Sequence, residues 1–371
     1  MRKAFKYRLY PTKEQEQALT EMLETHRRLY NFALAERKTA WEERRESVSY
    51  GQQSARLKDD RTTNSYLAAT NFSSCQATLR RLDRSFQAFF RRLKAGETPG
   101  YPRFKGLRRF DTVEFPSYGD GCRLANSRVY FQHIGHVKIK LHRPVEGTIK
   151  TVSCKREADG WHVIFSCELP DMDISPSTLP ATGIDLGLKV FLVTADGRQI
   201  TPPRYYRKAQ AALRRSQRAV ARKQKGSNRR KKAVERLAKR HLHVANQRRN
   251  FHHQIARQLV GQYGMIAHEA LNVQGIGRTH LAKSIHDVGW GHFITILHCK
   301  AEGAGVRVIA VPPANTTQQC SACGALPETP EQRKRLGDRV HRCPSCGYAA
   351  DRDLNAAQNI FRLGRSLQAL M

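Results

Sequence analysis

The chain has 371 residues, room for two or three hydrophobic cores, and its 40% apolar content excludes a disordered polyelectrolyte. Its 65 Lys and Arg stand against 32 Asp and Glu, a formal net charge of +33. So much like charge repels itself and calls for a polyanionic partner whose phosphates release counterions, because a merely solubilising surface needs only a small net charge.

No run of about 18 apolar residues is present, so no membrane span is predicted. The opening MRKAFKYRLYP lacks the apolar stretch of a signal peptide. Nine cysteines are an odd number; the first five (Cys75, Cys122, Cys154, Cys167 and Cys299) are scattered in apolar contexts. That usage predicts buried thiols in a reducing cytoplasm, with the last four kept for a metal.

AFKYRLY alternates as a strand. Pro11 and Thr12 then open a helix, with Thr12 and Gln15 spaced as a capping box and Ala18, Leu19, Met22, Leu23, Leu29, Tyr30, Ala33 and Leu34 at helical intervals. A second amphipathic helix carries Cys75, Leu79, Leu82, Phe86, Phe89, Phe90 and Leu93 beside five arginines, its phenylalanines reading as core. GETPGYPRFKG, 96–106, closes this helical region. From about 108 to 170 the period changes to two, and VYFQ, HVKIKL, GTIKTVSCKRE and GWHVIFSCEL predict a small barrel. The N-terminal strand is expected to join that barrel, with the helices inserted between strands, and Pro170, Pro176 and Pro180 punctuate a linker.

GIDLGLKVFLVTADGRQI, 183–200, is a second strand-turn-strand pattern. Arg204 to Arg249 then holds 18 Lys and Arg and a single acid, Glu235. Ala209, Leu213, Ser216 and Val220, then Val234, Leu237, His241 and Ala245, predict the two buried stripes of a helical hairpin broken at 226–228. With acids for i,i+4 pairs nearly absent, the hairpin reads as a nucleic-acid surface. GMIAHEALNV and GVRVIAVPP supply strands, and DRDLNAAQNIFRL a final helix.

Cys320 and Cys323, then nineteen residues, then Cys343 and Cys346 have the spacing of two zinc knuckles, each followed by a glycine, Gly324 or Gly347. Four thiolates close the shell, so the zinc is expected to be structural. Catalysis is expected of acids in apolar strands: Asp185 in GIDLGL, Glu269 at the end of MIAHEAL, and Asp351 or Asp353 at the start of the last helix. Acids so placed are expensive to bury without a cation, and three that converge could hold two Mg2+ beside a phosphodiester. Asp351 could instead cap the helix.

These segments resemble a known family. GIDLGLKVFLVTADG, IAHEALNVQGI and DRDLNAAQNI are similar to the three motifs of a RuvC-like nuclease domain. Their order, with CSACG and CPSCG between the second and third, resembles TnpB, the insertion-sequence protein related to type V CRISPR effectors; FKYRLYPTKEQ, RRLYNFAL, GYPRFKG, SIHDVGWGHF and ANTTQQCSACG extend the likeness over nearly the whole chain. The resemblance implies an α+β multidomain protein: a wedge-type β-barrel (1–10 plus 96–178), a helical recognition insert (11–95), and a RuvC-like, ribonuclease H-like α/β nuclease domain (179–318 plus 348–371, with the basic hairpin at 204–260). A C-terminal zinc-ribbon (319–347) is inserted in the nuclease domain.

It further implies a prokaryotic, cytoplasmic, nucleoid-associated RNA-guided endonuclease that takes a guide RNA from the transposon end. The enzyme cleaves target double-stranded DNA beside a short transposon-adjacent motif, as a protein monomer in the RNA complex. The catalytic, Mg2+-holding triad maps to Asp185, Glu269 and Asp353, the last preferred because it directly precedes Leu354-Asn355. His268 and Ala270 depart mildly from the family pattern around Glu269. Arg214, Arg215, Arg218, Arg222, Lys223, Arg229, Arg230, Lys231 and Lys232 are the expected RNA contacts. Tyr50, Ser54 and Gln76 are the expected readers of the DNA motif. The rival expectations are a guide-independent RuvC-like nuclease and an RNA-guided DNA-binding regulator without cleavage.

Overall fold

The structure is a computed structural model that describes residues 2–107, 109–170, 175, 177–335 and 337–369; Pro176 of the expected linker lies outside them. The chain divides into two compact units, Met1–Asp171 and Met172–Met371.

In the first unit a strand, β1 (Arg2–Tyr10), leads into α1 (Lys13–Arg44), α2 (Tyr50–Thr63), α3 (Ser65–Ala68) and α4 (Phe72–Lys94). Six strands follow: β2 (Thr112–Phe115), β3 (Cys122–Ala125), β4 (Arg128–Phe131), β5 (Gly135–Lys140), β6 (Thr148–Glu157) and β7 (Gly160–Glu168). The capping box at Thr12 and Gln15 forms and starts α1, and a second one at Ser49 and Gln52 starts α2. The strands pair in the order β2-β6-β7-β1-β5-β4-β3, so β1 sits between β7 and β5 with antiparallel neighbours on both sides. With β2 and β3 left as edges, the small barrel expected from the strand pattern takes the form of an open half-barrel. Burial of alternate residues along β1 (Phe5, Tyr7, Leu9) and of Leu19, Leu23, Tyr30, Leu79 and Leu82 from the helices makes one continuous core. Phe86 belongs to it, whereas Phe90 is 57% exposed.

The second unit contains β8 (Ala181–Leu186), β9 (Leu192–Thr194), β10 (Gln199–Ile200), α5 (Tyr205–Ala221), α6 (Asn228–Val260) and β11 (Met265–Glu269). After these come α7 (Val273–Ile276), α8 (Ala282–Val288), α9 (Trp290–Glu302), β12 (Arg307–Val311), the short β13 (Val340–Arg342) and β14 (Ala349–Asp351), and α10 (Arg352–Ala369). Five strands form a mixed sheet in the order β10-β9-β8-β11-β12, with β8, β11 and β12 parallel and β9 antiparallel to β8. One face buries Ile184, Leu186 and Ile266 with Leu259, Phe293 and Leu297 of α6 and α9. The other packs Met265, Ala267, Ile309 and Val311 against Ile360 of α10.

The basic hairpin forms with its break at the expected place: α5 ends at Ala221, Gly226 takes a positive φ of 88°, and Ser227 caps α6. On α5 the expected stripe holds, with Leu213 buried and Ala209, Ser216 and Val220 half-buried; on α6 it does not, since Ala233 and Val244 are buried, whereas Val234, His241 and Ala245 are exposed. Four of the five scattered cysteines are buried; Cys299, on α9, is exposed. Among the described residues no helix is long and apolar enough to cross a membrane.

Candidate active site

Two glycines decide where the last helix lies. A Cβ on Gly183 would run into the Ala357 carbonyl oxygen and the Phe361 nitrogen of α10, and one on Gly364 into the Ala267 side chain of β11. Only glycine lets α10 settle this close to β8 and β11. Asp185 is two residues beyond Gly183 and therefore faces the same side of the sheet, towards α10. On β11, His268 pairs with Ile184, so Glu269 stands one residue further on, level with Asp185 and on its side. Asp353, in the first turn of α10, completes the group. The structure thus brings all three sequence-predicted acids to the carboxyl end of adjacent parallel strands.

Burial and mutual repulsion dominate the electrostatics of Asp185. Burial first, then the Glu269 and Asp353 charges, push Asp185 up to about 8 against the opposing pull of Arg352. Burial also raises Glu269, opposed by the hydrogen bond that the Thr316 hydroxyl donates to Oε1. Asp353 is paired with Arg352 at 3.1 Å and with Arg339 at 3.8 Å. Asp351 is occupied otherwise: its Oδ1 accepts the backbone N–H of Asp353 at 2.9 Å and of Leu354 at 3.2 Å, and so caps α10. An enclosed carboxylate repelled by two others fits a hard divalent cation.

Among the described residues, two groups bring three or more ligand atoms within 4.8 Å of one another, and the three acids are not one of them; their oxygens stand wider. One group is Glu157, Asp159 and His162 in the first unit, where Lys6 at 2.6 Å and Lys155 at 3.6 Å already satisfy Glu157. The other is Cys320, Cys323, Cys343 and Cys346. Two sulfur pairs are 3.8 Å and 3.6 Å apart, close to the roughly 3.8 Å edge of a tetrahedron with 2.3 Å Zn–S bonds. The two knuckles repeat each other: Cys320 N–H bonds to Ala325 O and Gly324 N–H to Cys320 O, as Cys343 does to Tyr348 and Gly347 to Cys343. Gly324 and Gly347 both take positive φ, 80° and 72°. These sulfurs fit zinc.

The ribbon is tied to the acids by two residues that sequence reasoning left without a role. Asn355 and Asn359 of α10 are fully buried. Asn359 Nδ2 donates to Thr316 O at 2.9 Å and to Gln319 O at 2.7 Å; Asn355 Nδ2 donates to Gln319 O at 2.8 Å and Asn355 Oδ1 accepts Ser321 N–H at 2.9 Å. A helix that turns two asparagines to its apolar side, four residues apart, was the available signal.

Of the expected RNA contacts, Arg214, Arg215, Arg218, Arg222, Arg229, Lys231 and Lys232 are exposed along the hairpin, and Lys223 and Arg230 are half-buried. In the first unit Tyr50, Ser54 and Gln76 lie together between α2 and α4. Gln76 Nε2 donates to Ser54 Oγ at 3.1 Å, and Arg80 Nε donates to the Tyr50 hydroxyl at 2.8 Å.

Comparison with known proteins is decisive. Residues 165–279 match a family described as "Probable transposase" (OrfB_IS605), and residues 290–360 match the "Cas12f1-like, TNB domain". Over 379 residues, all of this chain and 91% of the relative, it is 31% identical to the "Putative RNA-guided DNA endonuclease" of Streptomyces pristinaespiralis. The chain belongs to the TnpB family. A TnpB relative in Escherichia coli (strain K12), "Putative RNA-guided DNA endonuclease InsQ", is 28% identical over 99% of this chain and 93% of its own. Residues 1–46 match a family described as "Helix-turn-helix domain", but in this TnpB member they fold as β1 and a single long helix. The fold is shared with the protein of the "Cryo-EM structure of the Cas12f1-sgRNA-target DNA complex", at a TM-score of 0.58 and 15% identity over 94% of this chain and 83% of that one.

Proposed function

We propose that this protein is an RNA-guided DNA endonuclease of an insertion sequence, cutting double-stranded DNA beside a short transposon-adjacent motif. The observation that carries the reading is the convergence of Asp185, Glu269 and Asp353 in a chain that aligns end to end with relatives named RNA-guided DNA endonucleases. The strand order of the five-stranded sheet, with β8 central and the parallel β11 and β12 to one side, supports a RuvC, ribonuclease H-like domain at 179–318 plus 348–371. The half-barrel and its helices take the wedge (1–10 plus 96–178) and recognition (11–95) roles, and 319–347 is the structural zinc-ribbon.

Asp185, Glu269 and Asp353 would hold two Mg2+, which would supply charge at the phosphate oxygens and acidify the attacking water. The residues themselves supply orientation: Thr316 fixes Glu269, Asp351 caps the helix that carries Asp353, and Arg352 and Arg339 hold the Asp353 carboxylate. The hairpin arginines and lysines bind guide-RNA phosphates, and Tyr50, Ser54 and Gln76 read the DNA motif, while base pairing supplies target specificity. The protein acts as a monomer in the RNA complex, in the prokaryotic cytoplasm at the nucleoid.

The test is a plasmid library bearing a guide-matched target beside randomised flanking bases, incubated with the chain, its transposon-end RNA and Mg2+. Cutting that needs the RNA, selects one flanking motif and vanishes in Asp185→Ala is expected. Equal cutting without RNA overturns the guided mechanism, and RNA binding with intact DNA overturns the nuclease.

A further inference from the structure

The end of the sheet that gathers the acids also opens into a second, differently charged feature. Strand β8 leaves Asp185 through the turn at Gly187, and Leu188 and Lys189 of that turn wall a cavity of about 390 Å3. Arg204 and Arg207 at the start of α5, with Ser284 and Asp287 of α8, form the facing side. Lys189, Arg204 and Arg207 are all exposed.

Asp287, the single acid in the lining, is turned away from this role: its Oδ1 and Oδ2 accept the backbone N–H groups of Tyr206 and Arg207 at 2.9 Å and 3.2 Å. It therefore serves as the cap that α5 lacks, since Arg204 at the N-cap makes no side-chain cap bond. With that carboxylate engaged by the helix end and Arg207 donating to Ser284 Oγ at 3.0 Å, Lys189 and Arg204 are the cations left to the space. Arg204 sits in the left-handed region (φ 51°, ψ 46°), where asparagine or glycine would be cheaper, so the cation is kept at a conformational cost.

We infer that this cavity seats a backbone phosphate of the single DNA strand drawn to the carboxylates, with Lys189 and Arg204 as its charge partners. The inference rests on the nuclease reading above and names a subsite within it. Position favours the DNA over the guide. Lys189 follows Asp185 by four residues, at most about 14 Å of chain, so a phosphate held there lies near the strand end that carries the acid. The hairpin residues expected to contact guide RNA begin at Arg214, ten residues and about 15 Å further along α5. Phosphate contacts of this kind fix register and do not read sequence.

The experiment uses the full chain loaded with its guide RNA. Affinity for a short single-stranded DNA is measured across a salt series without divalent cation, for the parent, Lys189→Ala/Arg204→Ala and the charge-keeping Lys189→Arg/Arg204→Lys. Expected is weaker binding by the alanine pair, a log–log salt slope shallower by about 0.7 for one lost phosphate contact, and guide-RNA affinity unchanged. The charge-keeping pair is expected to retain the parent slope. Equal slopes for parent and alanine pair overturn the inference, as does a loss that appears in guide-RNA affinity in place of DNA affinity. Cutting by the parent complex in Mg2+ is scored separately: if the strand binds but stays whole, the nuclease reading fails while the slopes still decide the subsite.

Discussion

Gly183 of β8 lies so close to Phe361 of α10 that a single added carbon would meet the Phe361 backbone nitrogen. The helix is thereby held at the distance that presents Asp353 to Asp185. Gly183→Ala is expected to push α10 off the sheet at a cost of about 1–3 kcal/mol. Because displacement of about 1 Å at a reacting centre can lose 10²-fold, cutting should fall by roughly that factor. Denaturant unfolding and single-turnover cleavage of the same preparation check the two effects. A variant that cuts at the parent rate would show that α10 does not set the site's geometry.

Asp185 is enclosed and repelled by its neighbours, which costs the cation-free chain stability. Asp185→Asn is expected to abolish cutting, by roughly a thousandfold or more, while the cation-free variant melts at or above the parent temperature. Thermal melts in chelator and in Mg2+ separate the effects: the parent should gain stability from Mg2+ and the variant should not.

Zinc should govern the acids at a distance. Cys343→Ala opens the sulfur shell, and the binding energy of a structural zinc is folding energy for its ribbon. Since Asn355 and Asn359 bond α10 to residues 316–321, loss of the ribbon loosens the helix that carries Asp353. Zinc release on adding a zinc-selective chelator with Mg2+ in excess, followed by loss of cutting with guide RNA still bound, is the expected sequence. Full cutting by a zinc-free variant would uncouple the ribbon from the site.

His26, on α1, is buried, with its ring bonded to Met22 O at 2.7 Å and Ser74 Oγ at 2.8 Å. Burial lowers it from 6.5 to about 4. The unfolded chain therefore binds the proton first, so stability is full above pH 6.5 and is lost as pH falls towards 4. The loss amounts to on the order of 3 kcal/mol. Unfolding of the first unit followed across that range should show it, and His26→Gln should flatten the slope.

Much of this was legible because the chemistry is local. The boxes at Thr12 and Gln15, the glycines after each cysteine pair and the acids isolated in apolar strands announce themselves within a few residues. The α6 stripe did not. On a helix rich in Lys, Arg and Ala the apolar signal is thin, so the neighbour chooses the face, and it chose Ala233 and Val244 over Val234 and His241. Nor could alternation along the strands say that β2 and β3 stay unpaired at the edges, since closure depends on register between distant strands. Asn355 and Asn359 read as ordinary helix polar residues until the loop they bond was in view.

The central place of β1 has a consequence for the order of synthesis. Its neighbours pair Arg8 with Lys140 on one side and Arg2 with Glu168 on the other, so the strand leaves the ribosome long before either partner exists. Helices α1 to α4 are complete in the interval, while the half-barrel waits with its middle plank unmatched. Such long-range closure is slow and leaves a strand edge open to wrong partners in the meantime. A nascent first unit that stalls after α4 would present an unpaired edge carrying Phe5, Tyr7 and Leu9, an aggregation-prone surface.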